Sequence, residues 1–177
     1  MTPSRPDTVI LDACLAITFG NAGALDLIAG IVQWDVVTAA RAIREVTRPP
    51  GSDALREALA DDLIRSASID LSVADEQEAL ARFDAMPAFR GRGDAEVLAL
   101  AVTRNHAVGT DERAIHRVVR AELTPRHLVS TLDVLVIAIR EGRMSADAAS
   151  RLLNDLDVGP TYTERLKTAG LTLGDLV

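Results

Sequence analysis

The chain has 177 residues, 48% apolar and 25% charged, a globular balance with length for one sizeable core. Its net charge of −7 argues against a broad basic surface that grips nucleic acid non-specifically, and a single cysteine, Cys14, excludes an internal disulfide. Aromatic residues make up 3%, so the core must be built from Ala, Val, Leu and Ile, a supply that suits buried parallel strands covered by helices.

Short apolar runs alternate with helical ones. TVILD (8–12) is the first predicted strand, and NAGALDLIAG (21–30) the helix after it. IVQWDVVT (31–38) reads as a strand and TAARAIREV (38–46) as a helix, broken at Pro49, Pro50 and Gly51. SDALREALADDLIRS (52–66) is an amphipathic helix with Ser52 or Asp53 at its cap, followed by a strand over SIDLSV (68–73) and a helix over 74–86. The loop PAFRGRG leads into a helix from Asp94 to Asn105. HAVGTD (106–111) and HLVST (127–131) are further strands around a helix over 112–123, and helices over 131–142, 145–156 and 161–170 complete the chain. This alternation predicts βαβ units: one α/β domain over 1–177, a three-layer α/β/α sandwich on a parallel sheet of about five strands, with 142–177 a helical extension packed on it.

The first apolar stretch carries Asp12, so no signal peptide is expected, and the apolar run over 127–139 is too short to span a bilayer and contains Asp133. No membrane partner is expected, and a reducing cytoplasm is the expected location. Three scattered histidines do not make a zinc cage.

Four carboxylates fall where such a fold gathers side chains. Asp12 and Asp111 end predicted strands, Asp94 opens a helix beyond a glycine-rich loop, and Glu45 lies in the second predicted helix. Ligands of open α/β sheets bind beyond the carboxyl ends of the strands. If the first and fourth strands are neighbours, the three aspartates meet there, and a hard divalent cation, Mg²⁺ or Mn²⁺, would offset their repulsion. Each acid alone also fits an ordinary helix cap or, for Glu45, a salt-bridged face with Arg41 and Arg48. Glu96 lies about 200° around an ideal helix from Asp94 and is an optional ligand. Thr110 is a candidate hydrogen-bond partner for a carboxylate, or a plain strand-end threonine. Of the 19 basic residues only Lys167 is a lysine. Arg90 and Arg92, with Arg113 and Arg117 on the other side, are candidate phosphate ligands or a solvated rim. The joint reading is a metal-dependent phosphodiesterase.

At these residues the chain resembles the PIN-domain family of metal-dependent ribonucleases. VILDACLAITFGNAGALDLI resembles its first motif, VVTAARAIREVTRP its second with Glu45, GRGDAEVLALA its third with Asp94 and the extra acid Glu96, and AVGTDERA its fourth with Thr110 and Asp111. The tail over 129–156 resembles the subset of virulence-associated protein C-type toxins. The resemblance implies an endoribonuclease with Asp12, Glu45, Asp94 and Asp111 catalytic, and with Asp12, Asp94 and Asp111 holding the metal. It further implies RNA as substrate, a small antitoxin as partner and a homodimer. Two departures stand out. Ala13 and Cys14 replace the small hydroxyl residue after the first acid, and Ala114 and Ile115 stand where a further acid is expected. Glu112 could substitute for that acid but points elsewhere on an ideal helix.

A signalling receiver domain needs a lysine near the last strand, and Lys167 lies in the tail. A haloacid-dehalogenase-like phosphatase needs Asp-x-Asp, and the sequence reads Asp12-Ala13-Cys14. The alternative kept is a PIN-like module that binds RNA or protein without turnover.

Overall fold

The run TVIL forms strand β1 (Thr8–Leu11), and Val9, Ile10 and Leu11 are fully buried, as a strand covered on both faces must be. The computed structural model describes residues 6–156 and 158–177. Around β1 lie β2 (Asp35–Ala39), β3 (Arg65–Ala67), β4 (Ala107–Gly109) and β5 (Leu128–Val129). All pair in parallel, in the order β3-β2-β1-β4-β5, with Ile10 opposite Val37 on one side and Val108 on the other. The chain builds outward from β1 to β3, then returns to add β4 on the other side. The order therefore reverses between β1 and β4, the position at which open sheets form their ligand crevice.

The connections are helical: α1 (Ala13–Asn21), α2 (Leu25–Ala29), α3 (Ala40–Glu45), α4 (Gly51–Ala60), α5 (Ala74–Asp84), α6 (Gly93–Arg104), α7 (Arg113–Glu122) and α8 (Thr131–Arg140). The helix α4 packs on α1 and α2, while α6 packs on α3, α5 and α7. The sheet is thus flanked by helices in the expected three-layer α/β/α sandwich. The last helices, α9 (Ala146–Asp155) and α10 (Gly159–Thr168), pack on each other, and α9 also packs on α8. No helix among the described residues is long and apolar enough to cross a membrane.

Three of the differences from expectation have a local reason. A helix, α1, begins directly after Asp12 and, with α2, replaces the single helix predicted over 21–30. The break between them carries Gly23 at φ +63°, in the left-handed region that glycine enters without steric cost. The third strand lies at Arg65–Ala67 rather than over 68–73. There Asp70 Oδ1 accepts bonds from Ser72 N (2.9 Å) and Ser72 Oγ (2.6 Å), a turn that competes with extension. The fifth strand shortens to two residues because Ser130 and Asp133 form a capping box that starts α8.

The helix α6 positions the rest. From Gly93 to Ala101 every residue is buried, so this helix runs through the core rather than over it. Its first turn meets α3 so closely that a Cβ on Gly93 would lie 2.7 Å from Ala42 Cα. Only glycine permits that approach. Overpacking of this kind costs about 1–3 kcal/mol. Gly93→Ala is therefore expected to lower Tm, by about 2–4 °C for each kcal/mol in a domain of this size. Thermal unfolding followed by circular dichroism measures it, and an unchanged Tm would show that the backbone contact yields easily.

Candidate metal centre

The carboxyl ends of β1 and β4 and the first turn of α6 bring three acids together. Asp12, Asp94 and Glu112 each offer a carboxylate oxygen, and these oxygens lie within 4.8 Å of one another. At that separation each pair repels by roughly 3 kcal/mol at an effective dielectric of about 20. Something must offset this, and the hydrogen bonds show what the protein itself supplies.

Asp12 is 1% exposed and occupies the N-cap position of α1 without capping it. Its Oδ2 instead accepts bonds from Thr110 Oγ1 at 2.8 Å and Cys14 Sγ at 2.9 Å. Burial and the neighbouring carboxylate push the Cys14 thiol well above its usual range, so it stays protonated and donates. Cys14 thus provides the bond a small hydroxyl residue would provide. Thr110, fully buried, also accepts the Glu112 N–H at 3.0 Å. That local turn holds Glu112 extended (φ −76°, ψ 121°) ahead of α7, and its side chain reaches the cluster.

Asp94 is as deeply buried as Asp12 but lacks its donors. It is 1% accessible, and neither carboxylate oxygen has a hydrogen-bond partner among the described residues. Arg92 Nη2 lies 3.0 Å from Asp94 Oδ2, an ion pair by distance whose angle does not make a hydrogen bond. The same nitrogen lies 3.3 Å from Glu112 Oε2. Burial first, then the charges of Asp12 and Glu112, raise the Asp94 pKa to about 7. Buried carboxylates without donors are rare, because leaving such a group unsatisfied costs about 1–3 kcal/mol or more. Two unpartnered oxygens facing two further carboxylates form an oxygen-only donor set, which fits Mg²⁺ or Mn²⁺.

The other predicted acids lie nearby but are used differently. Asp111 turns away from the cluster: Thr131 N (3.0 Å) and Thr131 Oγ1 (2.6 Å) donate to it, and so does the buried Tyr162 hydroxyl from α10. Glu45 Oε1 accepts the Gly93 N–H at 2.6 Å, capping α6 from the end of α3. Glu96 Oε2 accepts the Arg41 N–H at 2.6 Å, capping α3 from the start of α6. The cluster thus includes Glu112, while Asp111, the expected metal ligand, is engaged by Thr131 and Tyr162. The reason against Glu112, its direction on an ideal helix, does not apply because it precedes α7. Arg90 lies exposed in the loop before α6. On α7, Arg113 and Arg117 diverge. Arg113 lines a cavity with Asp111, and Arg117 lines an apolar one with Phe83, Met86 and Phe89.

The sequence reading gave no role to Cys14 as a donor, nor to Tyr162. For Glu112 a signal existed, since a threonine two residues ahead commonly closes such a turn. For Tyr162 there is none, because its bond spans 51 residues. No family model matches the chain, and no curated protein matches it.

Asp94 holds its proton more tightly in the folded protein than in the unfolded chain. Its folded pKa of about 7 exceeds the ordinary aspartate value of 3.8, so its contribution to stability is full below about pH 4 and lost as pH rises through about 7. In EDTA at pH 8, Asp94→Asn is therefore expected to raise Tm, and the gain should vanish at pH 4. Melts at the two pH values test this, and a variant less stable at pH 8 would contradict it. Arg92→Ala removes the internal cation. It is expected to lower the metal-free Tm and strengthen Mn²⁺ binding in calorimetry, and unchanged affinity would mean Arg92 does not compete.

Proposed function

We propose that the protein is a metal-dependent endoribonuclease of PIN-like type, with Asp12, Asp94 and Glu112 holding Mg²⁺ or Mn²⁺. The observation that carries this reading is the buried Asp94 carboxylate, whose two oxygens lack hydrogen-bond donors beside two further acids. When bound, a divalent cation there supplies charge for the scissile phosphate and a water nucleophile at neutral pH. The chain's own residues do the rest. Thr110 and Cys14 fix the Asp12 carboxylate by donating to one oxygen. Thr110 also fixes the Glu112 backbone, so one hydroxyl orders two acids. Glu45 and Glu96 lock α3 against α6 and so hold Asp94 in place. Arg92, about half exposed, is free to swing outward and grip a phosphate once the acids have another counter-charge. Asp111 holds the start of α8 and the face of α10.

On the sequence resemblance alone, the reading extends to a toxin paired with a small antitoxin and acting as a homodimer. A second reading has its own observation. Arg92 already sits across Asp94 and Glu112, an arrangement that suits a PIN-like module that binds RNA or protein without turnover.

Cleavage of a mixed RNA pool by purified protein separates the two. Cutting with Mn²⁺ that stops with EDTA is expected. Asp94→Asn and Glu112→Gln should each lower the rate by at least about a hundredfold, as loss of a group central to transition-state charge does. Asp111→Asn should instead lower Tm, by loosening α8 and α10, and retain more activity than either. No cutting by folded protein would favour the second reading, and full activity in Asp94→Asn would overturn the assignment of the centre to Asp94.

A further inference from the structure

A basic groove adjoins the acidic centre. Its cavity, about 380 Å³, is lined by Asp111, Arg113, His116 and Arg120 on the α7 side and by Tyr162 and Arg165 from α10. A second cavity continues it past Arg113, Arg165 and Glu164. On α7 the spacing 113, 116, 120 puts the three basic residues on one helical face. Among the described residues, no carboxylate lies within ion-pairing distance of Arg113, Arg120 or Arg165. The carboxylate on the groove floor, Asp111, is already engaged by Thr131 and Tyr162. Arg165 stands over the Tyr162 ring at 5.8 Å, and His116 Nε2 donates to the Thr110 carbonyl at 3.0 Å, so the walls are tied to the metal centre. In a chain of net charge −7, three guanidiniums without an ion-pair partner among the described residues, gathered in one concavity, form a local anion field.

We infer that the groove between α7 and α10 binds the phosphate backbone of a single-stranded RNA whose reacting phosphate lies at Asp12, Asp94 and Glu112. The inference rests on the nuclease reading for the direction of the strand, and on the groove's own chemistry for the ligand. Guanidinium forks take phosphate oxygens in pairs, and Arg113, the residue after Glu112, lines both cavities. The lining holds two rings: Tyr162, which lies under Arg165, and His116, which is tied to the Thr110 carbonyl. Binding there follows the backbone rather than the base sequence.

The test is fluorescence anisotropy with a short labelled single-stranded RNA in EDTA, where nothing is cut. The triple variant Arg113→Gln, Arg120→Gln, Arg165→Gln is compared with Arg56→Gln, Arg65→Gln, Arg151→Gln, which changes net charge equally at exposed sites outside the groove. The groove variant is expected to bind at least about tenfold more weakly and to lose about two units of salt slope, while the control binds as wild type. If the groove variant does not fold, Arg120→Gln alone should lower the slope by about one unit. Equal binding by groove variant and wild type overturns the proposal. So does wild-type protein that binds polyglutamate but not RNA, which would assign the groove to an acidic protein partner. Loss of binding in the groove variant without Mn²⁺-dependent cutting by wild type would retain the groove and reject the nuclease. Cutting with binding unchanged in the variant would do the reverse.

Discussion

Seating the first turn of α6 inside the protein requires its free N–H groups to be satisfied without water. The protein solves this by exchange. Glu45, at the end of α3, accepts from Gly93, and Glu96, in the first turn of α6, accepts from Arg41 near the start of α3. Each helix caps the other, and Gly93 lets the two backbones come close enough for both bonds. Asp94 is carried between these contacts to a buried position. The acidic centre follows from this helix junction as much as from the acids themselves.

Given that junction, charge balance governs the rest. Three carboxylates lie together where the strand order reverses, and the protein meets their repulsion with one guanidinium, a raised Asp94 pKa, and hydrogen bonds from Thr110 and Cys14 to Asp12. None of these gives Asp94 a donor. A site that leaves a buried carboxylate in this condition sacrifices stability, which is the pattern expected where function takes precedence over packing. The basic groove of α7 and α10 is lined by Arg113, His116 and Arg120, so acid and base are segregated within a few residues of chain.

The fold was readable because its signals are local. Continuous apolar runs such as TVIL and the helical run beginning at Asp94 name their elements, and their alternation names a parallel sheet. The strand misplaced over 68–73 had the right alternation but contained Asp70, whose turn chemistry acts over two residues and outweighs propensity. At the centre, Asp12 and Asp94 were legible as acids at a strand end and a helix start. The exchange of Asp111 for Glu112 was not. It depends on Thr110 bonding the Glu112 backbone and on Tyr162, far along the chain, claiming Asp111. Glu45 is legible as a candidate catalytic acid and Glu96 as an optional ligand, yet their bonds are to backbone N–H groups of another helix, which spacing along one chain does not encode.

The central claim is that Asp12, Asp94 and Glu112 are a cation site and Asp111 is not a ligand. Anomalous diffraction from crystals grown with Mn²⁺ tests it most directly. The account predicts a peak bounded by oxygens of Asp12, Asp94 and Glu112 at about 2.0–2.2 Å, with Arg92 displaced and Asp111 still bonded to Thr131 and Tyr162. A peak on Asp111 with Glu112 turned away, or no peak with Arg92 still across the acids, would contradict it.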